Sequence, residues 1–512
     1  MPDIVLATLN AKYIHSAFGL RYLLANLGEL RSQATLLEFD IHQRPVEIVE
    51  RILAVRPRLV GFGVYIWNVA ETRRVVALLK RLRPDVVVVL GGPEVSHELG
   101  EQEIARLADY VIPGEAEIAF RDLSRQVLAG APPEGKVRPA LLPALDRLEL
   151  PYDLYSDDDL AHRILYVEAS RGCPFECEFC LSSLDEAVRR FPLERFLAAM
   201  DRLLERGARH FKFVDRTFNL NLRVGQAILD FFHARLCPEL FLHFELVPDR
   251  LPEGLRDRIR RFPAGTLQFE VGIQTFNPEV AARISRRQDY TAAAANLRFL
   301  REETGGHIHA DLIFGLPGED LESFAAGFDR LIGLRPHEIQ VGMLKRLRGT
   351  PISRHDREWE VIWSPDPPYE ILSNRLLDFA ALQGLRRFAR FWDLVANSGH
   401  FGATTPRLWE GTTPFAGFRR FSEWLHAQTG RTHAIALPRL VELLFRYLTA
   451  ERGQEADAVR AVLTRDYVRP GRAIPACLGQ GSDGTACRER RPAARRQQRH
   501  REAAAEDPAR QL

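Results

Sequence analysis

Short apolar runs alternate with amphipathic stretches along the first 130 residues, a pattern typical of parallel strands connected by helices. The clearest strand is residues 86–90, where four valines precede a leucine. The pattern predicts further strands at residues 4–9, 34–39, 59–65 and 110–112, and helices at residues 20–27, 45–54, 72–82, 101–107 and 118–128. Residues 1–145 are therefore predicted to form a doubly wound, flavodoxin-like parallel sheet, whose ligands would bind beyond the carboxyl ends of the strands.

A second α/β pattern begins after a proline-marked linker, residues 146–163, and extends over residues 164–355. Strands are predicted at residues 164–167, 210–215, 240–246, 265–274, 307–315 and 338–344, and helices at residues 192–205, 226–236, 255–262, 290–303 and 321–332. Six strands with intervening helices predict a partial (βα)6 barrel that is open on one side. Active residues in such barrels lie at the carboxyl ends of the strands.

The pattern becomes helical over residues 356–474, with aromatic residues at helical spacing that indicate a packed core. This predicts an all-α domain with helices at residues 371–383, 385–396, 417–429 and 435–450. Residues 475–512 are rich in Arg, Gln, Ala and Glu, and we expect them to form a disordered tail.

Composition changes this picture little. Among 512 residues, 46% are hydrophobic and 27% charged, with a net charge of +2 that gives no argument for a nucleic-acid partner. No signal peptide or apolar run long enough to span a membrane is expected. Six cysteines, three of them in one loop, favour a reducing cytoplasmic location over a disulfide framework.

Those three cysteines, Cys173, Cys177 and Cys180, have the spacing C-x3-C-x2-C and follow a predicted strand directly. A loop that gathers three thiolates is typical of an iron–sulfur ligand set, and three ligands leave one iron of a four-iron cluster open. A zinc site and three unrelated thiols are the alternatives, although zinc usually takes two pairs of ligands and no second pair follows closely. Cys477 and Cys487 fall in the predicted tail and are discounted as ligands.

The loop resembles the cluster loop of the radical S-adenosylmethionine (SAM) enzymes. The resemblance implies that the open iron chelates the amino and carboxylate groups of SAM, and that an electron from a flavodoxin- or ferredoxin-type donor cleaves SAM to a 5′-deoxyadenosyl radical. It also implies that Phe179, the aromatic residue before the last cysteine, lies near the adenine.

Residues 270–317 look like the corresponding part of the oxygen-independent coproporphyrinogen oxidases, through the motifs Gly-Ile-Gln-Thr-Phe-Asn and Asp-Leu-Ile-Phe-Gly-Leu-Pro. Carboxylates can accept from ribose hydroxyls and an arginine can bind the methionine carboxylate. The usual Gly-Gly-Glu after the second strand is absent, and Asp215 stands in its place. A solvated polar residue at a strand end is the alternative for each position. The resemblance implies that SAM is held by Asp215, Glu245, Gln274, Arg286 and Asp311.

The residues after the strands of the first sheet resemble a cobalamin-binding domain of the kind found ahead of radical SAM domains. The matching pieces are the paired glycines after the fourth strand, which let the backbone approach a bulky ligand, and the Gly-Glu-Ala-Glu segment after the fifth. The implied cobalamin contacts are Asn10, His15, Trp67, Gly91, Gly92, Gly114 and Glu115.

One departure concerns His15. Better-known cobalamin domains carry D-x-H-x-x-G, whereas here Tyr13 replaces the aspartate and Gly19 comes one residue late. His15 would lack the carboxylate that orients a cobalt ligand, so a helix-start histidine with a local hydrogen bond remains an alternative. A sheet that binds nothing is another alternative.

The expected function is that of a cobalamin-dependent radical SAM enzyme that methylates an unactivated carbon of a small-molecule or unknown substrate. A radical SAM enzyme that uses cobalamin without methylation is the second hypothesis. A non-catalytic cobalamin or cluster sensor is the third, and production of 5′-deoxyadenosine would separate a sensor from both enzymes.

Overall fold

The computed structural model describes residues 2–185, 187–468, 474–479 and 496–505. The first five strands form one parallel sheet in the order β2-β1-β3-β4-β5, with helices on both faces. Its strands are β1 (Ile4–Asn10), β2 (Ala34–Asp40), β3 (Leu59–Gly63), β4 (Val87–Gly91) and β5 (Tyr110–Ile112). Its helices are α1 (Phe18–Ala25), α2 (Pro45–Ala54), α3 (Val69–Leu82), α4 (Glu103–Leu107) and α5 (Glu117–Leu128). This confirms the predicted doubly wound parallel sheet.

The expected linker packs closely on both of its neighbours and contains a helix, α6 (Asp157–His162), whose first turn is capped by Ser156. A buried network joins it to the first sheet: Arg21 lies 2.8 Å from Asp159 and 2.9 Å from Glu38. The guanidinium of Arg163 lies 2.7 Å from the same Glu38 carboxylate. The linker is therefore part of the folded body rather than an extended tether.

The second sheet is parallel, with six strands in the order β13-β12-β11-β10-β9-β6, so that β6 and β13 form its open edges. Its strands are β6 (Leu165–Val167), β9 (His210–Phe213), β10 (Phe241–Leu246), β11 (Leu267–Gln274), β12 (His307–Phe314) and β13 (Glu338–Met343). A two-stranded ribbon, β7 (Ser170–Arg171) with β8 (Arg189–Arg190), follows β6. The helices are α7 (Leu193–Glu205), α8 (Leu222–His233), α9 (Glu253–Arg260), α10 (Pro278–Arg283), α11 (Tyr290–Glu303) and α12 (Leu321–Gly333). The partial (βα)6 barrel is confirmed.

The carboxyl-terminal region is mainly helical and shares one hydrophobic core with the barrel. It comprises α13 (Asp356–Trp359), the hairpin β14 (Ile362–Trp363) and β15 (Ile371–Ser373), then α14 (Phe379–Val395), α15 (Pro414–Thr429), α16 (Leu437–Arg446), α17 (Ala456–Tyr467) and α18 (Arg496–Ala505). Within the described residues, the structure contains no helix with the length and apolar character needed to cross a membrane.

Two expectations for this region are wrong. Residues 371–373 form a strand rather than the start of a helix, and one helix, α14, runs through the predicted break at residue 384. Gly384 costs a helix only about 1 kcal/mol, which the burial of the apolar face of α14 offsets.

Part of the tail expected to be disordered is also ordered: α18 packs on the barrel, where Arg496 lies 2.9 Å from Glu338 on β13. Cys487 lies outside the described residues.

Candidate functional site

A cavity of about 240 Å³ lies at the carboxyl ends of the barrel strands. The loop after β7 forms one wall and the ends of β10, β11 and β12 form the other. The structure thus brings together eight residues that the sequence predicted to act at one site: Cys173, Cys177, Phe179, Cys180, Glu245, Gln274, Arg286 and Asp311.

The cysteine loop begins with a tight backbone turn. Gly172 has φ +94°, and a Cβ there would lie 2.3 Å from the carbonyl oxygen of Ala187, so only glycine fits. Burial raises the pKa of the Cys173 thiol, and the nearby thiols of Cys180 and Cys177 raise it further. Positive charge beside Cys173 would favour its thiolate form, and bound iron supplies such charge.

Among the residues that the structure describes, no three His, Cys, Asp or Glu side chains converge to hold a single metal ion. A four-iron cluster does not require such convergence, because each thiolate binds a different iron. The three soft donors facing one cavity therefore fit the donor set of a cluster.

The opposite wall carries buried polar atoms that have no hydrogen-bond partner among the residues that the structure describes. They are Gln274 Oε1, the Nε of Arg286 and Asp311 Oδ1. Leaving such an atom unsatisfied costs about 1–3 kcal/mol, so three of them around one cavity indicate a polar ligand. Gln274 also has φ +70°, at a register shift in β11, which turns this part of the strand end out of regular pairing. These donors and acceptors fit the ribose and amino-acid groups of SAM.

Three carboxyl groups share this wall, and their surroundings differ. Burial raises the pKa of Glu245 above its ordinary value, although the guanidinium of Arg216, 2.9 Å away, opposes the rise. Burial raises the pKa of Asp311 well above its ordinary value, and the neighbouring carboxyl groups of Glu270 and Glu245 raise it further. A cationic ligand would favour ionisation of both groups, which suits a sulfonium or ammonium group.

Glu270 is the third carboxyl group of this wall, and it was not among the SAM contacts predicted from the sequence. Burial alone would raise its pKa, but the hydrogen bond from His243, 3.0 Å away, and the charge of Lys212 outweigh burial and lower that pKa. Glu270 pairs with Glu245 in the β10–β11 register, so the predicted parallel pairing could have revealed it.

Asp215 is the predicted SAM contact that does not line the cavity. Its buried carboxylate accepts hydrogen bonds from the backbone N–H of Ala169, at 3.0 Å, and from Ser170 Oγ, at 2.6 Å. Burial raises its pKa to about 7. The next residue, Arg216, lies in the turn that follows β9 and lines the cavity instead.

The predicted cobalamin contacts line two adjoining cavities at the carboxyl ends of the first sheet. A cavity of about 270 Å³ is lined by Gly91, Gly92, Gly114 and Glu115. A second, of about 460 Å³, is lined by Asn10, His15 and Trp67. The two cavities have Phe18, Gly19 and Tyr65 in common.

The glycines of the first cavity leave space that side chains would otherwise fill. A Cβ built on Gly114 meets no atom within 4 Å, and one on Gly91 lies 3.6 Å from the carbonyl oxygen of Ile112. In the second cavity the ring of Trp67 stacks on Tyr65, with 4.4 Å between the ring centroids. A glycine-lined cavity beside an aromatic surface fits a bulky, flat ligand such as cobalamin.

His15 lies where the two α/β units meet. Its Nδ1 is 2.7 Å from the hydroxyl of Tyr166 on β6, and Asn10 donates a hydrogen bond to its carbonyl oxygen. Burial lowers the pKa of His15 and raises that of Tyr166 to about 12. The hydroxyl of Tyr166, from the barrel, thus contacts the His15 ring where the sequence provides no aspartate at position 13.

Glu115 is engaged by arginines of the barrel unit. Arg171, two residues before Cys173, lies 2.8 Å from Glu115 and 2.7 Å from Glu117, and Arg189 also pairs with Glu115. The glycine-lined cavity and the cysteine loop therefore have Arg171 as a common neighbour.

Comparison with known protein families agrees with this geometry. Residues 4–124 match the B12 binding domain and residues 167–331 match the radical SAM superfamily. Residues 357–507 match a protein family of unknown function, DUF4080. The chain thus combines a B12-binding domain with a radical SAM domain. These domains define its cofactors: cobalamin for the first, and a [4Fe-4S] cluster with SAM for the second.

Sequence identity to individual relatives is low. The chain is 26% identical over 361 residues to 2-(S-pantetheinyl)-carbapenam-3-carboxylate methyltransferase of Streptantibioticus cattleyicolor. The aligned region covers 62% of this chain and 51% of that protein. It is 25% identical over 343 residues to the cobalamin-dependent radical SAM methyltransferase TokK of Streptomyces tokunonensis. This aligned region covers 59% of this chain and 49% of TokK. The chain spans about half the length of these two curated relatives.

The structure of the radical SAM methyltransferase TsrM from Kitasatospora setae, with cobalamin and a [4Fe-4S] cluster bound, superposes with a TM-score of 0.57. The sequence identity is 18%, and the match covers 74% of this chain and 79% of that one. This likeness shows a common fold over the matched part of the chain.

Proposed function

We propose that the chain is a cobalamin-dependent radical SAM enzyme that transfers a methyl group to an unactivated carbon of a small-molecule substrate. One observation carries the proposal: one cavity at the strand ends of the barrel is lined by three cysteines and by three residues that each carry a buried polar atom without a hydrogen-bond partner. The relatives that are named methyltransferases support the choice of methyl transfer. When bound, the cofactors supply one-electron cleavage of SAM and a carrier for the methyl group.

In the barrel, Cys173, Cys177 and Cys180 would hold the cluster. Glu245, Gln274, Arg286 and Asp311 would bind the polar groups of SAM, and Phe179 would pack against its adenine. Arg286 Nη1 already lies 3.4 Å from Cys177 Sγ, so its guanidinium could contact the cluster ligand and SAM together. Glu270 and Arg216 complete the charged wall and would set the polarity that SAM meets.

In the first domain, Gly91, Gly92 and Gly114 would let the backbone approach cobalamin, while Asn10, His15 and Trp67 would line its other side. Glu115 would act mainly through Arg171 and Arg189, which hold its carboxylate.

We further propose a reductant of the flavodoxin or ferredoxin type and a reducing, cytoplasmic setting. The five cysteines that the structure describes are free thiols, and a cluster with an open iron has to be reduced before it can cleave SAM.

The test is anaerobic reconstitution with iron, sulfide and hydroxocobalamin, followed by reduction in the presence of SAM. We expect about four irons and one cobalt per chain, and formation of both 5′-deoxyadenosine and S-adenosylhomocysteine. Cys177→Ala should lose the cluster and 5′-deoxyadenosine, whereas Cys237→Ala, outside the loop, should retain both. Formation of 5′-deoxyadenosine without S-adenosylhomocysteine would support a non-methylating enzyme. Bound cofactors without either product would support a sensor.

A further inference from the structure

A buried carboxylate lies inside the cysteine loop. Glu178, between Cys177 and Cys180, is 2% exposed. It accepts a hydrogen bond from Ser285 Oγ at 2.6 Å and one from His355 Nε2 at 2.8 Å, and it forms an ion pair with Arg354. A carboxylate this deeply buried is expected to be fully paired, and Glu178 is.

The partners of Glu178 come from two other parts of the fold. Ser285 follows α10, and His355 ends a turn, Pro351–His355, that leads from the barrel into the carboxyl-terminal region. The backbone of the loop adds a further link, since the N–H of Glu178 donates to the carbonyl oxygen of Ile284 at 3.1 Å. One side chain therefore ties the cysteine loop to both segments.

Ser285 immediately precedes Arg286, whose Nη1 lies 3.4 Å from Cys177 Sγ. Ser285 has φ +54°, a left-handed conformation that a serine adopts only when its surroundings hold it. The hydrogen bond to Glu178 is such a restraint. Glu178 thus restrains both residues of the contact between Arg286 Nη1 and Cys177 Sγ. It is the chain neighbour of Cys177, and it holds Ser285, the chain neighbour of Arg286, by a hydrogen bond.

We propose that Glu178 is a positioning residue that holds the Arg286 guanidinium against the Cys177 sulfur, and thereby controls how tightly the cluster is retained and at what potential it is reduced. The inference rests on the proposed function, because it takes Cys177 as a cluster ligand. Hydrogen bonds to the sulfurs are among the determinants of cluster potential, and partners of ligands affect metal affinity by roughly 10- to 100-fold.

The loop offers a matched control. Glu176 lies one residue before Cys177, as Glu178 lies one residue after it, but the side chain of Glu176 is exposed. Glu178→Gln and Glu176→Gln make the same chemical change beside the same ligand. Only Glu178→Gln removes the charge that pairs with Arg354 and weakens the link to Ser285.

The experiment compares the reconstituted full-length variants without turnover. Iron release to a chelator is followed by absorbance, and the midpoint potential is measured by EPR-monitored titration. We expect Glu178→Gln to release iron roughly 10- to 100-fold faster than wild type. The midpoint potential of its cluster should become more negative, because displacement of the Arg286 guanidinium removes a hydrogen-bond donor that stabilises the reduced cluster. Glu176→Gln should match wild type in both measurements.

Wild-type iron release and potential in Glu178→Gln would overturn the inference while leaving the proposed function intact. A wild-type protein that takes up no iron would overturn both. If Glu178→Gln melts at a lower temperature, Ser285→Ala provides the test, because it removes one hydrogen bond and leaves the buried ion pair. Faster iron release and a more negative potential in a normally folded Ser285→Ala support the inference, and unchanged values overturn it.

Discussion

The glycine-lined cavity of the first domain gives a direct test of where cobalamin binds. Gly91 ends β4 with ordinary backbone torsions, and a Cβ there would meet its nearest neighbour, Ile112 O, at 3.6 Å, a normal van der Waals distance. The protein itself therefore has room for a Cβ at this position. A valine would instead occupy part of the 270 Å³ cavity.

Overfilling a well-packed site costs about 1–3 kcal/mol, which corresponds to roughly 5- to 150-fold in a dissociation constant. We expect Gly91→Val to weaken cobalamin binding by this factor while leaving the melting temperature of the apoprotein unchanged. Gly92→Ala should behave differently, because Gly92 has φ +106° and its Cβ would lie 2.5 Å from the carbonyl oxygen of Val64. That variant should lower the melting temperature even without cobalamin.

The assay is a titration with hydroxocobalamin, monitored by visible absorbance after equilibrium dialysis, alongside thermal unfolding by circular dichroism. Gly100→Val is the control, since the Cβ position of Gly100 meets no atom within 4 Å and the residue is exposed in the same domain. Wild-type affinity in a stable Gly91→Val would refute the placement of cobalamin in this cavity. A melting temperature as low as that of Gly92→Ala would refute the argument that the space at Gly91 is free.

Two further predictions concern stability. Glu38→Ala leaves Arg21 and Arg163 buried with a single remaining carboxylate, so it should cost about 3–5 kcal/mol in urea unfolding, and a loss below 1 kcal/mol would contradict this. Glu319 is 2% exposed, and burial raises its pKa to about 7, although the hydroxyl of Thr275 donates to it. A raised carboxyl pKa favours the folded state below the unfolded pKa, and this contribution is lost as pH rises through about 7. Glu319→Gln should therefore gain about 2–3 kcal/mol over wild type between pH 5 and pH 8, whereas a pH-independent difference would contradict the assignment.

The sequence predicted most elements because long periodic segments carry their own signal. The predicted helix at residues 290–303 coincides with α11, and the valine-rich strand differs from β4 by one residue at each end. The failure at residues 371–383 has a local cause, since the apolar pair Ile371 and Leu372 is too short to distinguish a strand from a helix. Asp378, which accepts a hydrogen bond from the N–H of Ala381, was a start signal for α14 that the sequence already contained.

The candidate site likewise contains residues that the sequence predicted and residues that it did not. The spacing of the three cysteines and the predicted ends of the barrel strands were enough to place these residues near one another. Which side of a strand end faces the cavity depends on the local backbone, so Asp215 was expected where Arg216 lies. The role inferred for Glu178 depends on partners 107 and 177 residues away, which spacing alone does not reveal.

Arg171 shows how such distant contacts join the two cofactor domains. It pairs with Glu115 and Glu117 of the B12-binding domain and with Glu168, 2.9 Å away, at the end of the first barrel strand. Burial raises the pKa of Glu168, and the arginine opposes that rise, so each buried charge depends on the others for its solvation. Removing one partner from a buried pair costs about 3–5 kcal/mol, so separating the domains here would carry a similar cost. Because Arg171 lies two residues before Cys173 and lines the glycine-lined cavity, this buried network links the cysteine loop to that cavity.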